Sequence, residues 1–158
     1  MFFNKKKKNV RKFQNLTGYF VGMGWRVEIP TEWAYEYDVE ERMYTFYPKD
    51  SDLTVYITPH HAQNHFGELA PVEELERVYL QVIANTQGEE IPVNLDVFKD
   101  TCYTVKAFEG CEIENGENVY HIKFSLFVPG DMLFVNVFGD TKEECMETLE
   151  FLKTISKQ

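Results

Sequence analysis

The 158-residue sequence has few of the features that mark membrane, secreted or metal-binding proteins. It contains no apolar run long enough to cross a bilayer, and it lacks the run of about 7 to 15 apolar residues that a secretory signal requires. Three cysteines are present, an odd number without the spacing of a metal site. Free thiols fit a reducing compartment, so we expect a cytoplasmic protein without a bound cofactor.

The sequence also has no catalytic motif that a purely structural role would not explain, and no internal linker, low-complexity segment or strict repeat. One domain is therefore expected. A chain of this length buries about 70% of its unfolded surface without disulfides or metals. These absences favour a binding protein over an enzyme.

Acidic residues are missing from the first part of the chain, where the first acid is Glu28. From Trp25 onward, ten basic residues face twenty-six acidic ones, which gives this body a charge of −16. Such a body repels nucleic acid and anionic lipid and suits a basic protein partner. The six basic residues before Trp25 give the N-terminal tail a charge of +6: Lys5 to Lys8, Arg11 and Lys12.

We divide the chain into a basic N-terminal tail, residues 1–16, and a single α+β domain, residues 17–158. The tail has two interpretations. Its lysines beside Phe2, Phe3 and Phe13 suit a nucleic acid, an acidic surface or a membrane interface. A solvated terminus explains the same composition.

The last third of the sequence predicts a three-stranded antiparallel meander. Asn115-Gly116 lies between two alternating runs, as is typical of a two-residue type I′ hairpin. We expect a bulge at Gly110 to accommodate the charge of Glu109 on an otherwise apolar face. Counting outward from the turn pairs Glu114 with Glu117, Cys111 with Tyr120, Glu109 with Ile122, Ala107 with Phe124, Val105 with Leu126 and Tyr103 with Val128. The other face pairs Gly110 with His121, Phe108 with Lys123, Lys106 with Ser125 and Thr104 with Phe127.

The third strand of this meander, residues 132–138, follows a turn at Pro129-Gly130 and is apolar on both sides. It should therefore lie in the centre of a sheet that is covered on both faces. Thr141 and Glu144 form a capping box that opens a terminal helix. Its apolar positions recur at helical spacing: Cys145, Thr148, Leu149, Leu152 and Ile155.

The first half of the sequence predicts a second meander, with strands at residues 25–29, 43–47 and 53–58. The acidic residues 35–41 are interpreted as the segment that leads into the second of these strands. Pro71 fits the first position of a helix that ends near Gly88. Residues 89–100 are interpreted as an irregular crossing anchored by apolar side chains: Ile91, Val93, Leu95 and Phe98.

This order predicts an α+β fold, an antiparallel sheet of about six to seven strands in two meanders, flanked by helices. The aromatic opening strand closed by Pro30 and Trp33, followed by meander, helix, meander and helix, resembles the PsbP-like fold, an α/β/α sandwich. An extrinsic photosystem subunit, a Ran-binding nuclear transport factor and many small bacterial proteins share that fold. The resemblance implies a non-catalytic binding scaffold of the bacterial branch.

The histidine-rich loop is the best candidate for chemistry. His61 and His65 would share one side of a helical turn, and with His60 and Glu68 they form a candidate zinc site. A metal-assisted hydrolase built on His60, His61 and His65 is therefore the alternative function. A polar surface loop that happens to contain histidines explains the same residues.

Four aromatic residues form the candidate binding surface. By the predicted register Phe108 and Phe127 lie on the wetter face of the sheet, and Phe46 and Tyr56 join them if both meanders form one sheet. The crossing around Phe98 and the N-terminal residues are expected to cover these rings, unless they form an exposed patch that binds protein. We expect a non-catalytic protein-binding module of the immunity or adaptor type.

Overall fold

A computed structural model describes Phe13 and residues 15–158. Residues 1–12 and 14, which hold most of the predicted basic tail, lie outside the described residues. Within the described part the chain has two antiparallel sheets and helices, so the predicted α+β class is confirmed.

The strands in chain order are β1 (Leu16–Gly22), β2 (Trp25–Pro30), β3 (Ala34–Asp38), β4 (Met43–Tyr47), β5 (Thr54–His61), β6 (Ile91–Pro92), β7 (Thr104–Glu114), β8 (Glu117–Val128), β9 (Asp131–Gly139) and β10 (Ser156–Lys157). The helices are α1 (Val72–Ala84), α2 (Lys142–Glu147) and α3 (Leu149–Leu152), with a 3₁₀ turn at Asp96–Phe98.

The larger sheet has seven strands in the order β3-β4-β5-β9-β8-β7-β6, and the smaller has the order β1-β2-β10 among the residues described. β9 is the central strand of the larger sheet, as its apolar composition predicts. Its Leu133, Val135 and Val137 are completely buried on one side, and Met132 is buried on the other. β9 therefore lies between two antiparallel neighbours, β5 and β8, and carries buried residues on both faces.

The predicted β7–β8 register is confirmed along the whole of β7. Asn115 and Gly116 adopt the left-handed φ values of 51° and 81° that a type I′ turn requires, and Glu114 lies opposite Glu117. The bulge expected at Gly110 is wrong, because the pairing continues one to one through that residue. The charge of Glu109 is instead accommodated by an ion pair with Lys142, whose Nζ lies 2.9 Å from Oε1.

One face of the larger sheet packs against a second layer made by the smaller sheet, α2 and α3. Phe124 and Leu126 of β8 meet this layer, in which Trp25 and Phe151 are also completely buried. Thr141 caps α2 as predicted, since its Oγ1 accepts a hydrogen bond from the Glu144 amide at 3.1 Å. The predicted apolar stripe is buried in this layer: Cys145, Thr148, Leu149, Leu152 and Ile155.

The opposite face of the larger sheet carries α1. Leu75, Tyr79 and Ile83 of this helix are buried against a separate apolar cluster that includes Phe108 and Phe127. Pro71 has the extended φ and ψ of −70° and 153° and precedes the helix as its N-cap. No helix in the described chain is long and apolar enough to cross a membrane.

Three segments differ from the sequence prediction. Residues 25–30, expected in one meander with the strands at 43–47 and 53–58, instead pair with β1 and β10 in the smaller sheet. Residues 34–38, expected only as a lead-in, form β3, the edge strand of the larger sheet. The crossing buries Leu95 and Phe98 as predicted, whereas Ile91 is half exposed in β6. Phe98 packs on Phe124, with 5.4 Å between ring centroids, so the crossing covers the face opposite to the one expected.

Truncating Phe127 should cost much of the folding free energy. The ring is fully buried and packs edge-on against Tyr79 at 5.9 Å, so Phe127→Ala leaves a cavity that costs about 3–5 kcal/mol. Urea denaturation measures the change in the free energy of unfolding. Ile113→Ala is the control, because Ile113 is 73% exposed and its loss should cost less than about 0.5 kcal/mol. Equal effects of the two changes would contradict the assigned packing.

Candidate functional site

The three histidines of the predicted metal site point in different directions. Successive residues of β5 face opposite sides of the sheet, so His60 and His61 are separated by the strand itself. His60 packs against Phe134 at 4.4 Å, and burial, followed by the charge of Arg42, lowers its pKa. His65 lies beyond the strand and packs on its neighbour Phe66.

His61 has its own partners. Its Nδ1 lies 2.9 Å from Asp131 Oδ1 and its Nε2 lies 3.1 Å from Gln63 Oε1. The hydrogen bond to Asp131, followed by the one to Gln63, raises the pKa of His61. Both nitrogens of the His61 imidazole therefore have hydrogen-bond partners at the end of β5.

The loop after β5 is a small hairpin, closed by a bridge between Gln63 and Leu69, and the helical turn expected there does not form. Asn64 organises it: its Oδ1 accepts hydrogen bonds from the amides of Phe66 and Glu68, and its Nδ2 donates to Glu68 Oε1 at 2.7 Å. Glu68 is thus engaged by Asn64. Across Phe13 and residues 15–158 no three His, Cys, Asp or Glu side chains converge as metal ligands would. The geometry therefore does not support a zinc site or the hydrolase built on it.

The predicted aromatic surface is corrected at three of its four positions. Phe46 and Phe127 are completely buried and Phe108 is 9% exposed. α1 covers Phe108 and Phe127, and Phe46 faces the other layer, 5.1 Å from the ring of Tyr19. Only Tyr56 of the four retains a partly exposed ring in the described structure.

Tyr56 belongs to a part of the sheet that α1 leaves uncovered. The helix contacts β7, β8 and the near side of β9 through Tyr79, whose ring lies 5.0 Å from Phe134. Glu76 on one side of α1 pairs with Lys106 of β7 at 3.7 Å, so the helix is displaced toward that edge. We call the part of this sheet face that α1 does not cover the open face. It consists of half-buried side chains on three strands: Thr45 and Tyr47 of β4, Thr54, Tyr56, Thr58 and His60 of β5, and Asn136 and Phe138 of β9.

Aromatic rings form the middle of the open face. Tyr56 and Phe138 lie on neighbouring strands and meet edge to face at 5.8 Å. Because β-strands carry these rings, the backbone that presents them is ordered before any partner binds. The open face is thus a preformed surface with an apolar centre.

Acidic depressions lie at two borders of the open face. One has a volume of about 480 Å³ and the other about 420 Å³. The first is lined by seven residues, three of them acidic: Glu36, Tyr37, Asp38, Val39, Glu40, Met43 and Thr45. The second includes Asp52, Tyr56, Glu112, Glu114, Glu117, Phe138 and Asp140. Their charge favours cationic groups at both borders of the aromatic centre.

A buried charge cluster lies beneath the end of α1, and we call it the Glu90 cluster. Glu90 Oε1 lies 2.7 Å from His121 Nε2, and Oε2 accepts a hydrogen bond from Lys123 Nζ at 3.1 Å. The side chains of Glu90, His121 and Lys123 are only 6%, 3% and 10% exposed. Burial acts to raise the pKa of Glu90, but the hydrogen bonds from His121 and Lys123 outweigh it, so the pKa is lowered.

Gly110 makes this cluster possible. A Cβ at this residue would lie 2.7 Å from His121 Nε2 and 2.7 Å from the Glu89 carbonyl oxygen. Glycine therefore lets the crossing approach β7 closely enough for Glu90 to reach the sheet. The cluster also supports the open face, because the rings of His121 and Phe138 are 5.8 Å apart.

Sequence reasoning missed the Glu90 cluster. It placed His121 opposite Gly110 on the wetter sheet face but placed Glu90 in an irregular segment without a contact. One signal in the sequence could have predicted it. His121 and Lys123 are two positions apart and so lie on the same sheet face, and basic side chains that are buried there need a carboxylate as a partner. Cys145 is completely buried, and burial, followed by the charges of Glu144 and Asp140, raises its pKa to about 12.

Comparisons with known proteins identify the fold alone. No protein-family model and no curated protein sequence matches this chain. A crystal structure of a protein from Bacteroides thetaiotaomicron VPI-5482 is similar with a TM-score of 0.60 and 14% identity over 88% of this chain; the match spans 47% of that protein, about half its length. LpqN, described as involved in cell envelope biogenesis of Mycobacterium tuberculosis, is similar with a TM-score of 0.53 and 11% identity, covering 90% of this chain and 86% of LpqN. Known bacterial structures thus share this architecture.

Removing the carboxylate of Glu90 should destabilise the fold strongly. Glu90→Gln leaves Lys123 buried without its counter-charge, which costs about 3–5 kcal/mol. Urea denaturation at neutral pH measures the loss. Glu89→Gln makes the same change of charge at an exposed neighbour and should cost less than about 0.5 kcal/mol. A small effect of Glu90→Gln would show that the cluster does not hold the crossing.

Acidification should remove the contribution of Glu90. Its pKa is lower in the folded state than its ordinary value of 4.5, so the stabilisation is complete above that pH. It is lost as the pH falls through the lowered value. The stability difference between wild type and Glu90→Gln should therefore shrink as the pH falls below 4.5. A difference that grows on acidification would contradict the direction of the pKa change.

Proposed function

We propose that this protein is a non-catalytic binding module for another protein, with the open face as its contact surface. One observation carries the proposal: α1 covers only part of its sheet face and leaves the half-buried rings of Tyr56 and Phe138 uncovered between two acidic depressions. Aromatic anchors surrounded by polar groups are the usual energetic centre of a protein interface. A rigid sheet presents them here without an ordering cost.

The charge of the molecule supports a basic partner. The body from Trp25 onward carries −16, and acids lie at both borders of the open face. Complementary charge accelerates association with a cationic surface and disfavours nucleic acid. An immunity or adaptor protein that blocks or bridges a basic target requires an acidic surface of this kind.

The scaffold and compartment form part of the same proposal. A PsbP-like sandwich that serves binding is in keeping with a site built from side chains on a sheet. Cys102, Cys111 and Cys145 are free thiols, which fits the reducing cytoplasm.

Replacing Tyr56 should abolish partner capture while leaving the fold intact. Tyr56→Thr keeps a residue that favours strands but removes the ring at the centre of the open face. We expect the tagged variant to retain less than about a tenth of a stoichiometric partner captured by the wild type from its native lysate. Circular dichroism and urea denaturation verify that the variant folds.

Phe20→Thr is the matched control. Phe20 is 63% exposed on β1, in the other layer of the molecule, so its loss removes an exposed aromatic ring that is not part of the open face. Partner capture should be unchanged in this variant. If Tyr56→Thr retains the partner, or if both variants lose it equally, the open face is not the binding surface.

A further inference from the structure

The larger sheet ends at β3 with an exposed edge. β3 pairs with β4 on one side, and no other described strand pairs with it on the other. Tyr35, Glu36, Tyr37 and Asp38 are all exposed, and Tyr35 is 52% exposed. At the opposite edge, the two-residue strand β6 pairs with Phe108 and Glu109 of β7. β3 is therefore a preformed template of unpaired backbone donors and acceptors.

The side chains of β3 alternate in chemistry as well as in direction. Tyr35 and Tyr37 lie on the side of the second layer, where Tyr37 packs against Tyr44 at 4.5 Å. Glu36 and Asp38 lie on the same side as the open face, because Glu36 is opposite Thr45 and Thr45 is opposite Tyr56. An added strand would thus meet aromatic rings on one side and carboxylates on the other.

The carboxylates are held in place. Tyr47 Oη donates a hydrogen bond to Glu36 Oε2 at 2.8 Å, and Asp38 Oδ1 accepts one from the Glu41 amide at 3.1 Å. The depression of about 480 Å³ lies beside both acids and has room for long basic side chains. Fixed positions lower the ordering cost of binding.

Charge selects the strand that β3 can accept. A second copy of β3 would place Glu36 and Asp38 against the same acids, and like charges across a strand pair are destabilising. A strand with lysine or arginine at alternate positions would instead form an opposite-charge pair at each acid. Self-association is thus disfavoured and a basic strand is favoured.

We propose that β3 binds its partner by strand addition, accepting an extended segment in which basic residues alternate with uncharged ones. This proposal rests on the proposed function and names the kind of partner. The segment extends the larger sheet, its basic side chains reach Glu36 and Asp38, and its uncharged side chains pack on Tyr35 and Tyr37. Backbone hydrogen bonds supply affinity, and the alternation supplies specificity.

A synthetic peptide of alternating lysine and valine tests the proposal on the full-length protein. We expect saturable binding by fluorescence anisotropy and slower hydrogen exchange at the β3 amides. The variant with both Glu36→Gln and Asp38→Asn should bind about tenfold more weakly, since each lost pair is worth a few-fold. Glu73→Gln with Glu74→Gln, on the exposed side of α1, changes the net charge equally and should leave binding within about twofold.

Two altered peptides separate strand pairing from charge attraction. One has the same composition with its lysines in a block, and the other is N-methylated at alternate residues, which removes backbone donors. Both should bind at least about tenfold more weakly if the peptide pairs as a strand. Equal binding of all three peptides, or unchanged exchange at the β3 amides, would overturn the proposal.

The two proposals fail in different ways. If Tyr56→Thr abolishes capture of the native partner while the β3 double variant retains it, the open face binds the partner and strand addition is wrong. If the β3 double variant loses the partner while Tyr56→Thr retains it, strand addition stands and the open face is not the contact surface. Loss in neither variant overturns both.

Discussion

The width of the larger sheet is the constraint on which the rest of the structure depends. Seven strands about 4.8 Å apart span roughly 29 Å, whereas a helix with its side chains is about 10 Å wide. A single helix therefore cannot cover one sheet face. On the opposite face a second sheet, α2, α3 and the crossing together close the layer, and the strands there carry continuous apolar rows. Where α1 is alone, the sequence replaces those rows with Thr45, Thr54, Thr58 and Asn136 around a small aromatic centre.

The displacement of α1 toward β7 decides which half stays uncovered. Glu76 pairs with Lys106 at that edge, and the Glu90 cluster ties the residues after the helix to β8. Buried ion pairs add little net stability compared with apolar packing, but they penalise any arrangement in which a partner is missing. The cluster therefore specifies one position of the crossing over the sheet. Because His121 and Lys123 of the cluster both lie against the ring of Phe138, the cluster also connects the residues beneath α1 with the open face.

The sequence predicted the long hairpin better than the sites. Asn115-Gly116 sets the register of β7 and β8, because local turn chemistry and side-chain alternation agree along both strands. β3 was missed because Glu36 and Asp38 gave the segment an acidic composition that concealed the alternation with Tyr35 and Tyr37. The burial of Phe108 and Phe127 depends on where α1 lies, and that position is set by contacts between segments distant in sequence. The histidines of the predicted zinc site lie apart for local reasons. β5 places His60 and His61 on opposite faces, and Asn64 and the Gln63–Leu69 bridge form a hairpin where a helical turn was expected.

An acidic edge strand has two physical explanations, protection against self-association and recognition of a basic strand. Protection needs only charge at the edge and places no demand on where each carboxylate lies. In β3 the Glu36 carboxylate is fixed by Tyr47, and that hydrogen bond is the main reason that the pKa of the Tyr47 hydroxyl is raised. The exposed rings of Tyr35 and Tyr37 would weaken protection, because they add apolar area to the same edge. Fixed acids on one side and aromatic rings on the other are what recognition requires, so both features together favour it over protection alone.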